Sequence, residues 1–400
     1  VNSTEHKHKK GAGPLSGVRV IDLTAMVFGP YCTQIFADMG ADVIKVEPPP
    51  GGDNVRQISI GPEPGMSGVF ANVNRGKRSI MLDLRSESDK AILRALIETA
   101  DIFIHSMRLK AITKLGFGYD EVVAINPSII YTNCYGYDRR GPDRDLTAYD
   151  DTIQAECGLL KVQEKLTGEA TFIGSIIADK VAGLTAVYAT TMALFHRERT
   201  GEGQEVDVSM FETMAAFMLV EHANGTMFKP PLGEAFYPRA VSRNRRPYRT
   251  KDGQIAALIY NDKQWATFVN AVQPEWAKDP KFATLEQRAQ QIDTVYGLLG
   301  ETFRERTTQE WLGLLRSLEI PCAPLRSLDD LLDNEHLNAI GFFETVDSPN
   351  GPVRYPGVPT RFSATPGRVA GPAPRLGQHS QELLDELGLG KQADSKAANE

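Results

Sequence analysis

Apolar residues along this chain fall in short β-rich runs separated by stretches at helical spacing. VRVIDL (18–23) and DVIKVE (42–47) flank residues 30–40, where Cys32, Ile35, Phe36 and Met39 recur every three or four positions, predicting a βαβ unit. The alternation continues through RSIMLDL (78–84), a helix over about 86–99, DIFIH (101–105), a helix over about 119–125 and SIIYTNC (128–134). Strands alternating with helices of about 10–15 residues predict an α/β fold with a mainly parallel sheet and helices on both faces. A long helix is expected after Asp179, then a strand near 203–210 and a helix to about His222.

Between about 224 and 254 the texture changes. Pro230, Pro231, Gly233, Pro238 and Pro247 punctuate a segment that carries Arg239, Arg243, Arg245, Arg246, Arg249 and Lys251, which reads as a linker or an irregular crossing. A strand at 254–261 and helices around 265–272 and 286–304 predict a smaller second unit. Thr307 with Glu310 forms a capping-box pattern ahead of an apolar stripe at Trp311, Leu314, Leu315 and Leu318. Beyond Cys322 the chain is proline-rich until LLDELGL (383–389), and no internal repeat is visible.

Composition narrows the function classes. The chain has 400 residues, 42% hydrophobic and 24% charged, which is ordinary globular composition and long enough for two or three domains. Its formal charge of -7 disfavours a general nucleic-acid binder, so an anionic ligand needs a local basic cluster. Cys32, Cys134, Cys157 and Cys322 show neither CxxC nor Cys/His spacing, so they imply no disulfide framework and no zinc site. The longest nearly apolar stretch, 181–195, falls short of the ~20 residues that span a bilayer. The opening VNSTEHKHKKGAG is basic without an apolar core, so a soluble cytoplasmic protein with a frayed amino terminus is expected.

Several residues could carry chemistry. The turn after the first strand, TAMVFGP (24–30), lacks the GxGxxG through which a dinucleotide pyrophosphate approaches the backbone, which removes the main support for an oxidoreductase. Two basic trios, Arg75/Lys77/Arg78 and Arg108/Lys110/Lys114, flank strands and could serve a polyphosphate, or could be solvated loops. Asp179 opens the longest apolar helical run. An aspartate there ordinarily caps the helix, but the same amides and dipole also hold a carboxylate ionised and ready to act as a nucleophile. Tyr149, Asp150 and Asp151 precede another helix-like stretch, and their spacing does not separate an acid/base pair from an acidic first turn. The histidines are scattered, with no HxxH or HExxH pair, so no metal is implied.

Taken together, PLSGVRVIDLT (14–24), GPYCTQIFADMGADVIKVEPPPGGD (29–53), NRGKRSIMLDL (74–84), AYDDTIQAECGL (148–159), RTGEGQEVDVSMFE (199–212), RTTQEWL (306–312), LEIPCAPLRSLDDLLDNEHL (318–337) and APRLGQHSQELLDELGL (373–389) resemble the class III CoA-transferases, the formyl-CoA/carnitine type. The resemblance covers about 16–390. It implies a discontinuous, Rossmann-like, CoA-binding large domain (1–222 and 318–400), a linker (223–253), a small domain (254–305) and a linker helix (306–317), with ring-shaped monomers interlocked in a homodimer. A heteromer with a paralogous subunit stays open.

The same resemblance implies an activity and its residues. A carboxylate attacks an acyl-CoA, and CoA then passes through an aspartyl thioester to an incoming acid. The family's nucleophile lies in a pattern matched by Ala178-Asp179-Lys180-Val181-Ala182-Gly183, which makes Asp179 the implied nucleophile. For CoA, the matching positions are Ala25, Met26, Val27 and Phe28 after the first strand, with Ser106, Met107, Arg108 and Lys114 after the strand at 101–105. Tyr149 and Asp150 are assigned to the pocket wall near Asp179.

Three departures from the family pattern matter. The usual Asn-Phe before the arginine is Ser106-Met107, Pro48 stands where some relatives place an arginine, and SRNRRPYRTKDG (242–253) replaces a glycine-rich covering loop. The last argues against formyl-CoA:oxalate specificity. An α-methylacyl-CoA racemase, the nearest alternative, uses a histidine where this chain has Tyr149, and a phenol of pKa near 10 is a poor base for an α-proton. A catalytically silent CoA-binding subunit is a further alternative, against which the presence of Asp179 speaks. The arginine-rich 239–251 segment could pair with a second carboxylate on the acceptor acid, or be a solvated linker.

Overall fold

The computed structural model describes residues 13–390, and the expectation of a frayed amino terminus concerns residues outside that range. The described residues divide into two compact units, one formed by 13–156, 174–215 and 338–390, the other by 157–173 and 216–337.

The first unit is built on a six-stranded sheet in the order β3-β2-β1-β4-β5-β6. Its strands are β1 (Arg19–Leu23), β2 (Asp42–Glu47), β3 (Arg78–Met81), β4 (Ile102–His105), β5 (Ile130–Tyr135) and β6 (Gln204–Ser209), and all pair in parallel. Register places Ile21 beside Ile44 and Phe103, and Phe103 beside Tyr131, so one row of the sheet is a continuous apolar layer. Leu93, Leu96 and Ile97 of the helix Glu87–Glu98 complete this core. Strand order reverses between β1 and β4, the place where open parallel sheets leave a crevice for ligands beyond the strands' carboxyl ends.

A polar layer lies beneath that end of the sheet. Asp22 accepts from the Lys77 ammonium at 3.0 Å, from Thr24 N–H at 2.8 Å and from the Thr33 hydroxyl at 2.6 Å. Lys45 donates to the Thr24 carbonyl at 2.9 Å and to Asp53 at 3.0 Å. Glu47 takes two hydrogen bonds from Arg56, at 2.6 and 2.7 Å, and one from the Ser79 hydroxyl at 2.7 Å. Burial opposes ionisation of Asp22, but Lys77, Lys45 and the two threonine hydroxyls outweigh it and bring its carboxyl down to about 2. Desolvation lowers Lys77 to about 8 against the pull of Asp22.

The carboxyl-terminal part of this unit forms the antiparallel hairpin Phe343–Ser348 and Gly351–Pro356, then docks on β3. His379 N–H donates to the Ser79 carbonyl at 2.9 Å and Ser79 N–H returns to His379 Nδ1 at 3.1 Å. Arg78 reaches Glu386 of the helix Ser380–Glu386 at 2.7 Å.

The second unit has its own core. Trp265, Phe268, Phe303, Trp311 and Leu315 pack together, with the Trp311 indole donating to the Phe303 carbonyl at 2.7 Å. The helix Thr308–Ser317 begins with the expected capping box between Thr307 and Glu310 and sends Trp311, Leu312 and Leu315 into this core. A small antiparallel sheet joins Tyr248–Arg249, Gln254–Ala257 and Cys322–Pro324.

Lys77→Met keeps the aliphatic stem and leaves the Asp22 carboxylate buried without its ammonium partner. Urea unfolding is expected to show a loss of about 3–5 kcal/mol, part of which the added Asp22→Asn change restores. An unchanged midpoint would show that this pair contributes nothing to the fold.

Candidate active site

The helix Ile177–Thr200 starts after Ile176, whose side chain cannot accept a hydrogen bond, so its first amides need an acceptor from elsewhere. Asp150 supplies it. One carboxylate oxygen of Asp150 takes the N–H of Ala178 at 2.7 Å and of Asp179 at 3.2 Å, while Gln154 holds the other at 2.5 Å. Asp150 is buried and opens the helix Asp150–Glu156. Asp179, in the first turn, is thereby relieved of capping. Burial pushes the Asp179 carboxyl up, the Asp150 charge adds to this, and the Phe28 N–H pulls it partly back, leaving it at about 7.

The contact with Phe28 depends on Gly183. A Cβ added there would come within 2.9 Å of the Phe28 carbonyl oxygen and 3.0 Å of the Tyr31 ring. Gly183 lies one turn beyond Asp179 on the same helix face, so the absence of its side chain lets Asp179 reach the first amide of the helix Phe28–Asp38. This gives a physical reason for the Asp-x-x-x-Gly spacing.

The loop from β1 to that helix is pinned at almost every residue. Ala25 N–H donates to the Ser106 hydroxyl at 3.0 Å, Met26 N–H to Asp53 at 3.1 Å, and the Thr24 carbonyl accepts from Lys45. Met26 is held at φ 65°, a left-handed conformation unusual for a side-chain-bearing residue. On the β4 side, Met107 N–H donates to His105 Nδ1 at 3.1 Å. The hydrogen on His105 therefore belongs on Nε2, which lies 3.0 Å from the Tyr131 hydroxyl, and that hydroxyl donates to the Phe117 carbonyl. Burial lowers His105 to about 4, keeping it neutral as this tautomer requires.

Of the residues matched to CoA contacts, Ala25 and Ser106 are thus joined directly, and the two loops meet at the reversal of strand order. Val27 and Phe28 are buried, Met107 is half-buried, and Arg108 and Lys114 are exposed, with Arg108 touching Thr147 at 2.5 Å. Tyr149 is 60% exposed one residue before Asp150. The other basic trio is not available to a ligand. Arg75 is buried against Asp38 at 2.6 Å, Lys77 against Asp22, and Arg78 pairs with Asp42 at 2.7 Å. Among the described residues no group of three or more His, Cys, Asp or Glu side chains could hold a metal ion, and no helix is long and apolar enough to cross a membrane.

The pattern that defines CoA-transferase family III matches residues 15–380. The chain belongs to that family. It is 32% identical to the succinate–glutarate CoA-transferase of Agrobacterium fabrum, over 94% of this chain and 96% of that one. It is also 32% identical to the acetyl-CoA:oxalate CoA-transferase of Acetobacter aceti, over 96% of this chain and 98% of the other. A crystal structure of a CaiB/BaiF family protein from Brucella suis superposes with a TM-score of 0.77 at 30% identity, covering 94% of this chain and all of that one. The protein is a CoA-transferase, and its mixed α/β fold with a parallel six-stranded sheet is that of its family.

Asp150's hold on the amides of the Asp179 helix and the role of His105 were not recognised in the sequence. The signal for the first was present, because a helix that starts after isoleucine calls for a borrowed cap. Gly183→Ala is expected to push the two helices apart at Phe28 and to lower CoA-transfer turnover by about 10-fold to 100-fold while the far-ultraviolet circular dichroism stays unchanged. Wild-type turnover in this variant would show that the close approach is not needed.

Proposed function

We propose that this CoA-transferase works through Asp179 as a covalent nucleophile. The observation that carries the reading is a carboxylate at a helix start whose amides are already satisfied by Asp150, leaving Asp179 with the Phe28 N–H as its fixed donor and a pKa near 7. With a pKa near 7 about half of the Asp179 carboxyl is ionised at neutral pH, and that ionised form is more basic, and so a stronger nucleophile, than a free aspartate.

The Asp179 carboxylate oxygen attacks the acyl-CoA carbonyl, the C–S bond breaks, and CoA leaves as thiolate from a mixed anhydride. The thiolate attacks the aspartyl carbonyl, and the C–O bond breaks to release the donor acid and form an aspartyl-CoA thioester. The acceptor carboxylate displaces CoA from that thioester, giving a second anhydride. CoA thiolate then attacks the acceptor's carbonyl carbon, freeing Asp179. Each carbonyl addition places negative charge near helix amides such as the Phe28 N–H, where an oriented donor stabilises it. Arg108 and Lys114 hold CoA phosphates, and the backbone of Ala25, Met26, Val27 and Phe28 with Ser106 and Met107 lines the pantetheine arm in a Rossmann-like domain. Tyr149 and Asp150 complete the wall, Asp150 by holding the helix. The relatives named for glutarate and oxalate support a dicarboxylic acid as one of the exchanged acids.

The working form is a homodimer. Leu184, Tyr188, Met192 and Phe195 stand 49–65% exposed at three- and four-residue spacing along the helix Ile177–Thr200, an apolar stripe that a second copy covers. Met192→Glu with Phe195→Glu is expected to convert the dimer to monomer in analytical ultracentrifugation, and an unchanged mass would contradict this.

Incubation with an acyl-CoA and hydroxylamine is expected to leave a hydroxamate on Asp179, found by peptide mass spectrometry. A label elsewhere, or full transfer by Asp179→Ala, would falsify the mechanism. Asp179→Asn adds a stability readout. The folded carboxyl near 7 lies above the ordinary 3.8, so its contribution to folding is complete below pH 3.8 and is lost as the pH rises through about 7. The inactive variant is therefore expected to be more stable than wild type by on the order of 1–3 kcal/mol at about pH 8, with the gain gone by about pH 4.

A further inference from the structure

The second unit contains a cavity of about 530 Å³ lined by Arg239, Arg245 and Arg246 and by no carboxylate. Arg239 donates from Nε to the Tyr296 hydroxyl at 2.8 Å and stacks its guanidinium 5.5 Å from the Tyr260 ring centroid, which orients it without neutralising it. Among the described residues none of these arginines pairs with an acid. The turn bearing the other two is fastened from behind. The Ser242 hydroxyl donates to Asp293 at 2.7 Å and the Asn244 amide at 3.2 Å, so that acid's oxygens engage the turn's own polar groups. Arg245 N–H and Arg246 N–H close the turn onto the carbonyls of Ser242 and Asn244.

Three cations line this one cavity, Arg239 half-buried and Arg245 and Arg246 exposed, and in a chain of formal charge -7 such a local cluster favours a small anion. The rest of the lining includes Ala256, Ala257, Leu258 and Ala323, an apolar surface suited to a short hydrocarbon chain. The volume is in the range of small-molecule sites. Guanidinium groups bind carboxylate and phosphate alike through paired hydrogen bonds.

We propose that this cavity binds a short dicarboxylic acid, with a carboxylate on the arginines and the methylene chain on the alanine and leucine wall. The ligand is of the class proposed above for the exchanged acids, and to that extent the inference rests on the CoA-transfer reading. The binding itself can be measured apart from transfer.

Isothermal titration of the 400-residue protein with glutarate, with pentanoate and with free CoA separates these cases. Wild type and Asp179→Ala are both expected to bind glutarate saturably, and pentanoate at least about tenfold more weakly. Arg245→Gln with Arg246→Gln is expected to weaken glutarate about tenfold or more with no change in melting temperature, while Arg239→Lys, which keeps the charge, loses less. Absence of saturable glutarate binding to wild type, equal affinity for both acids, or unchanged glutarate affinity in the double variant would overturn the proposal. So would a loss of CoA affinity in place of glutarate affinity, which would make the cavity a phosphate site. Glutarate binding that persists in a protein whose Asp179 is never labelled would refute the covalent mechanism and leave this site standing.

Discussion

A helix that begins at Ile177 must have its free amide hydrogens satisfied, and the carboxylate that takes them belongs to Asp150. That single borrowed cap decides what Asp179 can be. An aspartate obliged to cap its own helix would have its oxygens tied to its own amides. With the cap supplied from another helix, Asp179 meets the Phe28 N–H, which is what the proposed role as nucleophile draws on. The arrangement has an energetic cost, since burial, with the Asp150 charge at the same helix start adding to it, pushes the Asp179 carboxyl up to about 7. Groups placed against their own preference for solvation are what reactive sites require.

The rest of the first unit keeps that geometry from relaxing. The β1 loop is held at Thr24 by Lys45, at Met26 by Asp53 and at Ala25 by Ser106, while Lys77 and Asp22 anchor the strand and helix on either side of it. These are buried charges with their hydrogen bonds satisfied, a condition under which ion pairs fix a conformation. Gly183 completes the device by omission, because any side chain there would move Phe28 away from Asp179.

Much of this architecture was legible along the chain. The strands of the parallel sheet are short β-rich runs, and their periodicity announced them. Asp179 by itself reads as a helix cap, and the resemblance to the class III CoA-transferases, through the Asp-x-x-x-Gly pattern, is what marks it as a nucleophile. The cations at 75–78 illustrate what was hidden. They look like a phosphate loop, yet Arg75 answers Asp38 and Lys77 answers Asp22, partners 37 and 55 positions away in sequence. Charge is visible in a sequence, but burial and the partner that neutralises it are properties of the fold. The same limit applies to Asp150, which the resemblance places near Asp179 but whose bonds to Ala178 and Asp179 span 28 and 29 positions and belong to the fold. For Arg239, Arg245 and Arg246 the sequence left two readings open, a solvated linker or partners for a second carboxylate, and only the fold shows that they line a cavity.

As the proposed nucleophile, Asp179 exchanges an oxygen with its substrates, and isotope transfer detects that exchange. In the proposed sequence the bridging oxygen of the first anhydride departs with the donor acid, and the bridging oxygen of the second remains on Asp179. Turnover with an acceptor acid labelled with oxygen-18 in its carboxylate should therefore place heavy oxygen in the peptide containing Asp179, and in no other. Transfer of CoA to the labelled acid with no heavy oxygen in that peptide would contradict the account.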